Sequence, residues 1–326
     1  MYDKSIRNKT LSVVLPCHNE EKVIRNSYLI LKPLLDHWNN ELISDYEIVM
    51  VNNGSTDDTI HEMRSIAKDD HKVVIVDLRK NYGYQGSITA GLFYAKNEMV
   101  VSIDADLQDD PLKMEDMIKM HYQGYDMVLG IRSARDTDSF FKKHTSQFFY
   151  KFSNLMGVKS VYNHGDYRLL SRSLVDNFKL MVERNRYIRG MILELESHYG
   201  CVYYERTKRM AGETKFNLYN MVALAVDGIT SFSTTPIRYI SFLGISMFLI
   251  ALVGLIYVLY VKLMTNVEVP GWAFITLAIL LFGGLQSLFI GIIGEYIAKI
   301  YTEVKQRPLF NVRTITRKGQ IENTDL

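Results

Sequence analysis

VVSIDADLQDDP, from Val100 to Pro111, opens as a buried strand and closes in carboxylates. Val100, Val101 and Ile103 suit a strand covered on both faces of a parallel sheet, and Asp104, Asp106, Asp109 and Asp110 follow before Pro111 opens a helix. In open α/β sheets the ligand crevice lies beyond the carboxyl ends of the strands, so these carboxylates mark where an ion or phosphate would be held. Asp104 and Asp106 point to the same side of an extended chain and repel unless a proton or cation lies between them. Such hard oxygen donors suit Mg²⁺ or Mn²⁺ carrying substrate phosphates. The plainer reading is an acidic turn capping the helix at Pro111.

Outward from this stretch, short β-rich runs alternate with helical stretches from Leu11 to about Tyr125. LSVVLP (Leu11 to Pro16), YEIVMV (Tyr46 to Val51), VVIVDL (Val73 to Leu78), MVVSID (Met99 to Asp104) and DMVLGI (Asp126 to Ile131) are spaced for crossover helices. That predicts an α/β domain with a mainly parallel, Rossmann-like sheet. No GxGxxG follows the first strand, so a dinucleotide cofactor is not expected. Cys17 to Glu21 instead enters a helix whose N-terminus would face an anion. Asn52 to Asp58 is a tight turn with Ser55 or Thr56 as helix cap, and Lys80 to Gly86 has glycines that permit close backbone approach. Each loop alone reads as an ordinary connection. Their shared position at the sheet edge of Asp104 and Asp106 is what groups them.

PCHNEE at Pro16 to Glu21, NNGSTDD at Asn52 to Asp58, KNYGYQG at Lys80 to Gly86 and DADLQDDP at Asp104 to Pro111 resemble, in order and spacing, the nucleotide-sugar domain of family 2 glycosyltransferases. The resemblance implies a GT-A fold whose loops hold a nucleotide sugar. Pro16, His18, Glu20, Asn53, Asp104 and the Ala105 backbone would face the nucleotide, and Asp106 with Gln108 would hold the metal. The family usually has an Asp where Asn52-Asn53 stands here; an amide hydrogen-bonds a base or ribose without the charge.

After Arg132, which at a strand end would clamp a diphosphate, the chain changes character. Phe140, Phe141, Phe148, Phe149 and Phe152 recur at helical spacing and suit either a core or a membrane-facing surface. Asp166 and Arg168 precede an apolar, helix-like run and read as an internal ion pair or a helix cap. Their segment also resembles the GDFRLL type of polyprenyl-phosphate glycosyltransferases, which implies a catalytic Asp166 on the acceptor side, as base or as organiser. RTKRMAGETKF, Arg206 to Phe216, gathers cations just before an apolar stretch, a natural site for a membrane-bound phosphate. It resembles the family's R-x-A-G-E-[ST]-K-[YF] segment, and Arg209 and Lys215 would bind the acceptor phosphate.

Ile240 to Val261 and Trp272 to Ile293 carry no charge and are long enough to span a hydrocarbon core. Lys262 and Glu268 are the only charges between them, whereas Arg238, Lys299, Lys305, Arg307, Arg313, Arg317 and Lys318 flank the outer ends, which predicts both termini in the cytoplasm. The expected organisation is a GT-A domain at 1–215, an interfacial amphipathic segment at 216–238, a two-helix transmembrane hairpin at 239–301 (about 240–261 and 272–296) and a cytoplasmic tail at 302–326. Gly283, Ser287 and Gly291 share a helix face and would permit packing within the hairpin or between subunits of a homo-oligomer. Gly294 to Val312 also resembles the bacterial two-helix members of the family, such as bactoprenol glucosyltransferases, and no Q-x-x-R-W segment of a processive synthase is present.

Thirty-eight Lys and Arg against 36 Asp and Glu leave a formal charge of +2, with no polybasic signature for nucleic acid. Cys17 and Cys201 lack metal spacing and read as reduced thiols of a cytosol-facing protein; no signal peptide is expected before the first strand. The resemblance implies transfer of one sugar, with inversion, from a UDP-hexose such as UDP-glucose to undecaprenyl phosphate at the inner membrane of a bacterium, for cell-envelope glycan modification. GDP-mannose or a UDP-aminoarabinose-type donor, and a non-catalytic lipid-carrier or flippase subunit, are the competing readings.

Overall fold

The apolar runs become strands because each serves two cores at once. In β1 (Thr10–Cys17), Leu11, Val13 and Leu15 face one side of the sheet and Val14 the other. In β2 (Asp45–Asn52), Ile48 and Met50 separate in the same way from Val49 and Val51. This is the period of two that a strand imposes on its side chains. The computed structural model describes residues 9–39, 41–133, 161, 163–206, 230, 233–264 and 271–323. The aromatic segment after Ser133, Arg209, Lys215 and residues 216–229 of the expected interfacial segment lie outside these residues.

The chain continues through α1 (Ile24–Trp38), α2 (Thr59–Asp69), β3 (Val73–Leu78), α3 (Gly83–Tyr94), β4 (Met99–Ser102), α4 (Lys113–Tyr122) and β5 (Met127–Arg132). Beyond the gap come β6 (His164–Ser171), α5 (Arg172–Leu180), α6 (Ile188–Leu195) and β7 (Tyr199–Tyr204). Two long helices follow, α7 (Thr235–Met264) and α8 (Trp272–Val304), then β8 (Val312–Arg317) and β9 (Gln320–Asn323). The described strands form one sheet in the order β7-β5-β6-β4-β1-β2-β3-β8-β9. Helices α1, α2 and α4 pack on one face through Leu31, Met63 and Met117, and α3, α5 and α6 on the other through Ile88, Phe178 and Ile192. Gly91 lets α3 sit close on β1, since a Cβ there would meet Val14 Cγ1 at 2.2 Å.

The expected α/β fold with its parallel strands is present, and the sheet is mixed. Strands β1 to β4 pair in parallel, and β5 and β7 run in the same direction, but β6 enters between β4 and β5 antiparallel to both. The segment expected to lead into a helix is therefore itself a strand. All eight of its residues are buried, which hides the charges Asp166 and Arg168. The second departure is at the C-terminus. Residues 312–323, expected within a tail, form β8 and β9, and β8 pairs antiparallel with β3. Arg317 anchors the return by donating to Glu47 Oε2 at 3.3 Å and Tyr94 O at 2.8 Å.

Helices α7 and α8 are exposed, apolar and, at 30 and 33 residues, about 45 and 50 Å long, more than the roughly 30 Å of a hydrocarbon core. Thr235–Gly254 and Leu281–Val304 are long and apolar enough to cross a membrane. The Tyr296 hydroxyl donates to Ser233 O at 2.7 Å, which ties α8 to the start of α7. A Cβ at Gly283 or Gly291 would meet nothing within 4 Å, so that small-residue face is open among the described residues.

Candidate active site

The loops after β1, β2, β3 and β4 converge on a cavity of about 300 Å³. Its walls include Pro16, Cys17, His18 and Glu20 from the first loop, Asn53 from the second, Asn81 from the third, Gly83, Tyr84 and Ser87 from α3, and Asp104, Ala105 and Asp106 from the fourth. Hydrogen bonds between the loops fix this wall. Asn53 Nδ2 donates to Asn81 Oδ1 at 3.1 Å and Gly83 O at 3.0 Å, and its Oδ1 accepts from Tyr82 N at 2.9 Å. His18 Nδ1 lies 3.0 Å from Asn53 O and its Nε2 3.0 Å from Asn81 Nδ2. A carbonyl only accepts, so the proton sits on Nδ1 and Nε2 accepts from the amide. Gly54, at φ +60°, lets the second loop lie flat on the third, where a Cβ would fall 2.3 Å from Lys80 C.

Beneath the wall, Asn52 Nδ2 donates to buried Asp77 Oδ1 at 2.7 Å and Asn52 Oδ1 accepts from Ser55 N at 3.2 Å. The paired asparagines thus have separate tasks, one below the loop and one across it. The Asn53 amide, expected toward a base or ribose, also has these protein partners. The residue meets the cavity as part of a lock between loops.

The carboxylates are unevenly compensated. Asp104 accepts from the Tyr84 hydroxyl at 2.5 Å, and Arg206 Nη2 is 3.9 Å from its other oxygen. Burial, together with the nearby charges of Asp166, Asp109 and Asp106, pushes the Asp104 carboxyl up to about 6 despite the Tyr84 bond. Asp106 lines the cavity and accepts from Gln108 N at 3.2 Å, in a turn where Leu107 takes φ +44°. Asp109 is buried against Arg132 Nη2 at 3.1 Å and Arg206 Nε at 3.4 Å.

Asp166 lies on β6 outside the cavity lining, and its charge bears on both Tyr84 and Asp104, which are in it. Arg168, two residues on along the same strand face and itself fully buried, donates to Asp166 Oδ1 at 2.5 Å. Arg189 of α6 donates to Oδ2 at 2.6 Å. Burial alone would raise this carboxyl, but Arg189 and Arg168 hold it well below the usual carboxylate range. Burial and the same arginines push His164 well below its ordinary value.

Of the residues singled out from the sequence, the structure gathers Pro16, His18, Glu20, Asn53, Asp104, Ala105 and Asp106 around one cavity. Arg132 is placed on Asp109, where it balances a buried carboxylate, and Gln108 is 7% exposed and outside the lining. Among the described residues no three His, Cys, Asp or Glu side chains are grouped to hold a metal ion. Tyr84 and Arg189 were not singled out, and Arg206 stands in the carboxylate cluster rather than with a surface phosphate site. Tyr84 lies within the loop motif and could have been found there. Arg189, 23 residues beyond its partner Asp166, has no local signal.

Residues 12–178 match a family model described as glycosyl transferase family 2. Over 308 residues the chain is 39% identical to uncharacterized glycosyltransferase YkcC of Bacillus subtilis (strain 168), which covers 94% of each chain. Over 304 residues it is 36% identical to the bactoprenol glucosyl transferase of Shigella phage SfII, covering 93% of this chain and 97% of the relative. Glucosyl-3-phosphoglycerate synthase from Mycobacterium tuberculosis, solved with Mn²⁺, uridine-diphosphate-glucose and phosphoglyceric acid, is similar over 68% of this chain and 78% of its own at 20% identity and a TM-score of 0.44. The match runs from β1 to α5 and takes in every strand-end loop of the cavity, and by it the chain belongs to glycosyl transferase family 2.

Proposed function

We propose that this glycosyltransferase moves one sugar, with inversion, from a UDP-hexose such as UDP-glucose to the phosphate of undecaprenol at the cytoplasmic face of a bacterial membrane. The observation that carries the reading is the joining, in one chain, of a cavity walled by Asp104 and Asp106 to two helices apolar enough to enter a bilayer. The relative named as a bactoprenol glucosyl transferase supports the acceptor class. The nucleotide would lie along Pro16, His18 and the Asn53 loop, with its diphosphate toward Asp104 and Asp106. Asp106, with Asp104 beside it, supplies oxygen donors of the kind that hold Mg²⁺ or Mn²⁺ together with substrate phosphates and water. Bound there, the cation would offset charge on the departing diphosphate.

A phosphate monoester is mostly dianionic at neutral pH, with a second pKa of about 6, so the acceptor attacks without a strong base. Asp166 then acts as an organiser: it pairs with buried Arg168 and holds the partly exposed Arg189, which would be offered to an anionic acceptor. Arg209 and Lys215 are the further cations assigned to the lipid phosphate. Because β7 and β8 belong to one sheet, a chain that enters the bilayer between them would have to return to the same side. Arg238, Lys299, Lys305 and Arg307 at the domain-side ends of the helices, against Lys262 and Glu268 at the far turn, support a cytoplasmic catalytic domain.

The test incubates membranes containing the enzyme, undecaprenyl phosphate and a panel of labelled nucleotide sugars, and identifies any glycolipid. UDP-glucose is expected to label it. Labelling by GDP-mannose or UDP-aminoarabinose alone would reassign the donor, and no metal-dependent turnover of any donor would favour a non-catalytic carrier subunit.

A further inference from the structure

The last turn of α8 is fastened to the loop between α5 and α6. Glu303 accepts from the backbone N–H of Arg184 at 2.8 and 2.9 Å, from the backbone N–H of Asn185 at 2.8 Å and from Asn185 Nδ2 at 2.8 Å. Asn185 Nδ2 also reaches Lys299 O at 3.2 Å, and Arg184 Nη2 reaches Gln306 O at 3.3 Å. Two successive backbone amides converging on one carboxylate form a small anion nest, and each bond is charge-assisted. The loop is stiff in itself, since Arg186 lies 4.9 Å over the Phe178 ring and donates to Glu183 O at 3.1 Å.

Both ends of this loop have an evident destination. On its far side, Ile188 N donates to Gln85 Oε1 at 3.0 Å, next to Tyr84 of the cavity wall, and Arg189 reaches Asp166. On its near side, Leu180 and Val182 are 77% and 71% exposed. They lie on the element that Glu303 draws to α8, whose Ile297, Ile300, Tyr301 and Val304 are likewise exposed. Arg184 is bound to this end of α8, and Lys299, Lys305 and Arg307 lie along the same stretch of chain, with Lys305 Nζ 4.0 Å over the Tyr301 ring. If the charge-free part of α8, Trp272 to Gly294, about 35 Å long, is set across a hydrocarbon core rather than the more C-terminal Leu281–Val304, Glu303 falls about 13 Å beyond it, among the headgroups. An apolar strip with cations along the same stretch, at that depth, suits anionic lipid.

We propose that the α5–α6 loop rests on the bilayer surface and that Glu303 is a positioning residue, which holds this loop to the membrane helix and so sets Arg189 on Asp166 for a lipid-borne acceptor. The inference rests on the proposed polyprenyl-phosphate acceptor. It makes the geometry of the acceptor side depend on a residue at the end of a membrane helix, outside the cavity.

The test uses the full chain in nanodiscs of phosphatidylethanolamine and phosphatidylglycerol. In Glu303→Ala, and in Asn185→Asp, which sets a second carboxylate against Glu303, KM for undecaprenyl phosphate should rise about tenfold while the Kd for UDP is unchanged. Glu303→Gln keeps an acceptor oxygen and should fall between. In the Asn185→Asp background it should restore KM, which general loss of structure would not. A nitroxide on Leu180→Cys or Val182→Cys, in a Cys201→Ser chain, should be relaxed less by an aqueous nickel chelate, and more by dissolved oxygen, than one on exposed Lys68→Cys of α2. Unchanged acceptor KM in both Glu303→Ala and Asn185→Asp, or nickel relaxation at both nitroxide positions as strong as at Lys68→Cys, would overturn the inference. If the unmodified enzyme transfers nothing to a polyprenyl phosphate, the acceptor assignment is what fails, and the nitroxide measurement decides the loop's placement alone.

Discussion

Arg189 meets Asp166 through two nitrogens, Nε at 3.2 Å and Nη2 at 2.6 Å from Oδ2, while Arg168 takes the opposite oxygen. A carboxylate so held stays ionised far below neutral pH, and its folded-state value lies below its unfolded one. Its stabilisation is therefore fully present above about pH 4, the unfolded value, and is lost as pH falls through the lower folded value. Over the range where transfer is measured, Asp166 does not titrate. Asp166→Asn should keep the acidic limb of the transfer rate seen in the unmodified enzyme. Asp166→Ala, which strips a buried arginine of its partner at a cost of about 3–5 kcal/mol, should retain less activity and stability than Asp166→Asn. Single-turnover rates across pH with saturating donor and metal check this, and disappearance of the acidic limb in the Asn variant would make Asp166 a base.

Asp106→Asn replaces an anionic cavity donor with a neutral one. Transfer should fall on the order of a hundredfold, and chelation should do the same to the unmodified enzyme. Full activity in verified excess EDTA would remove a metal from the reaction.

Asp104 carries the opposite sign to Asp166. Its carboxyl, raised to about 6, keeps its proton in the folded state after the unfolded chain has lost it. Metal-free stability should decline as pH rises from about 4 to 6. Asp104→Asn still accepts from Tyr84 and removes this cost, so its melting temperature in EDTA at pH 7 should exceed that of the unmodified protein by a few degrees, at about 2–4 °C per kcal/mol. A lower value, or no pH dependence in the unmodified protein, would show that the charge is already compensated.

Asn53 gives a contrasting case, because the family's usual Asp would be the wrong residue for the bonds seen here. Asn53→Asp would turn a carboxylate toward Asn81 Oδ1 and Gly83 O, both acceptors, whereas Asn53→Ala only removes the amide. Both should weaken binding of the nucleotide by about 1–3 kcal/mol, the Asp variant more. Calorimetric titration with UDP measures it; binding by Asn53→Asp at least as tight as in the unmodified protein would assign the residue to the ligand rather than the lock.

The strands β1 to β5 were legible because strands buried on both faces need nothing but apolar residues, and LSVVLP or VVIVDL has no competing period. The cavity was legible through its loops, since each motif sits directly at a strand end. What escaped was pairing across distance. The charges of Asp166 and Arg168 masked a fully buried strand, and the Arg189 that makes such burial tolerable lies on another element. Arg132 has the expected residue type at the expected sheet end, and its pairing with the buried carboxylate of Asp109 was not legible. Strand β8, VRTITR, alternates as an edge strand should, but a long apolar stretch before it made the following residues look detached.

The return of β8 to β3 also orders events during synthesis. Between Arg206 and Val312 the ribosome adds about 106 residues, roughly 5–20 s of elongation, and through that interval β3 is an open edge able to pair with another chain. Both apolar helices emerge before the strand that covers this edge. The sheet is thus completed only after both apolar helices have been made, so a chain arrested between α8 and Val312 carries an unfinished domain with its β3 edge open.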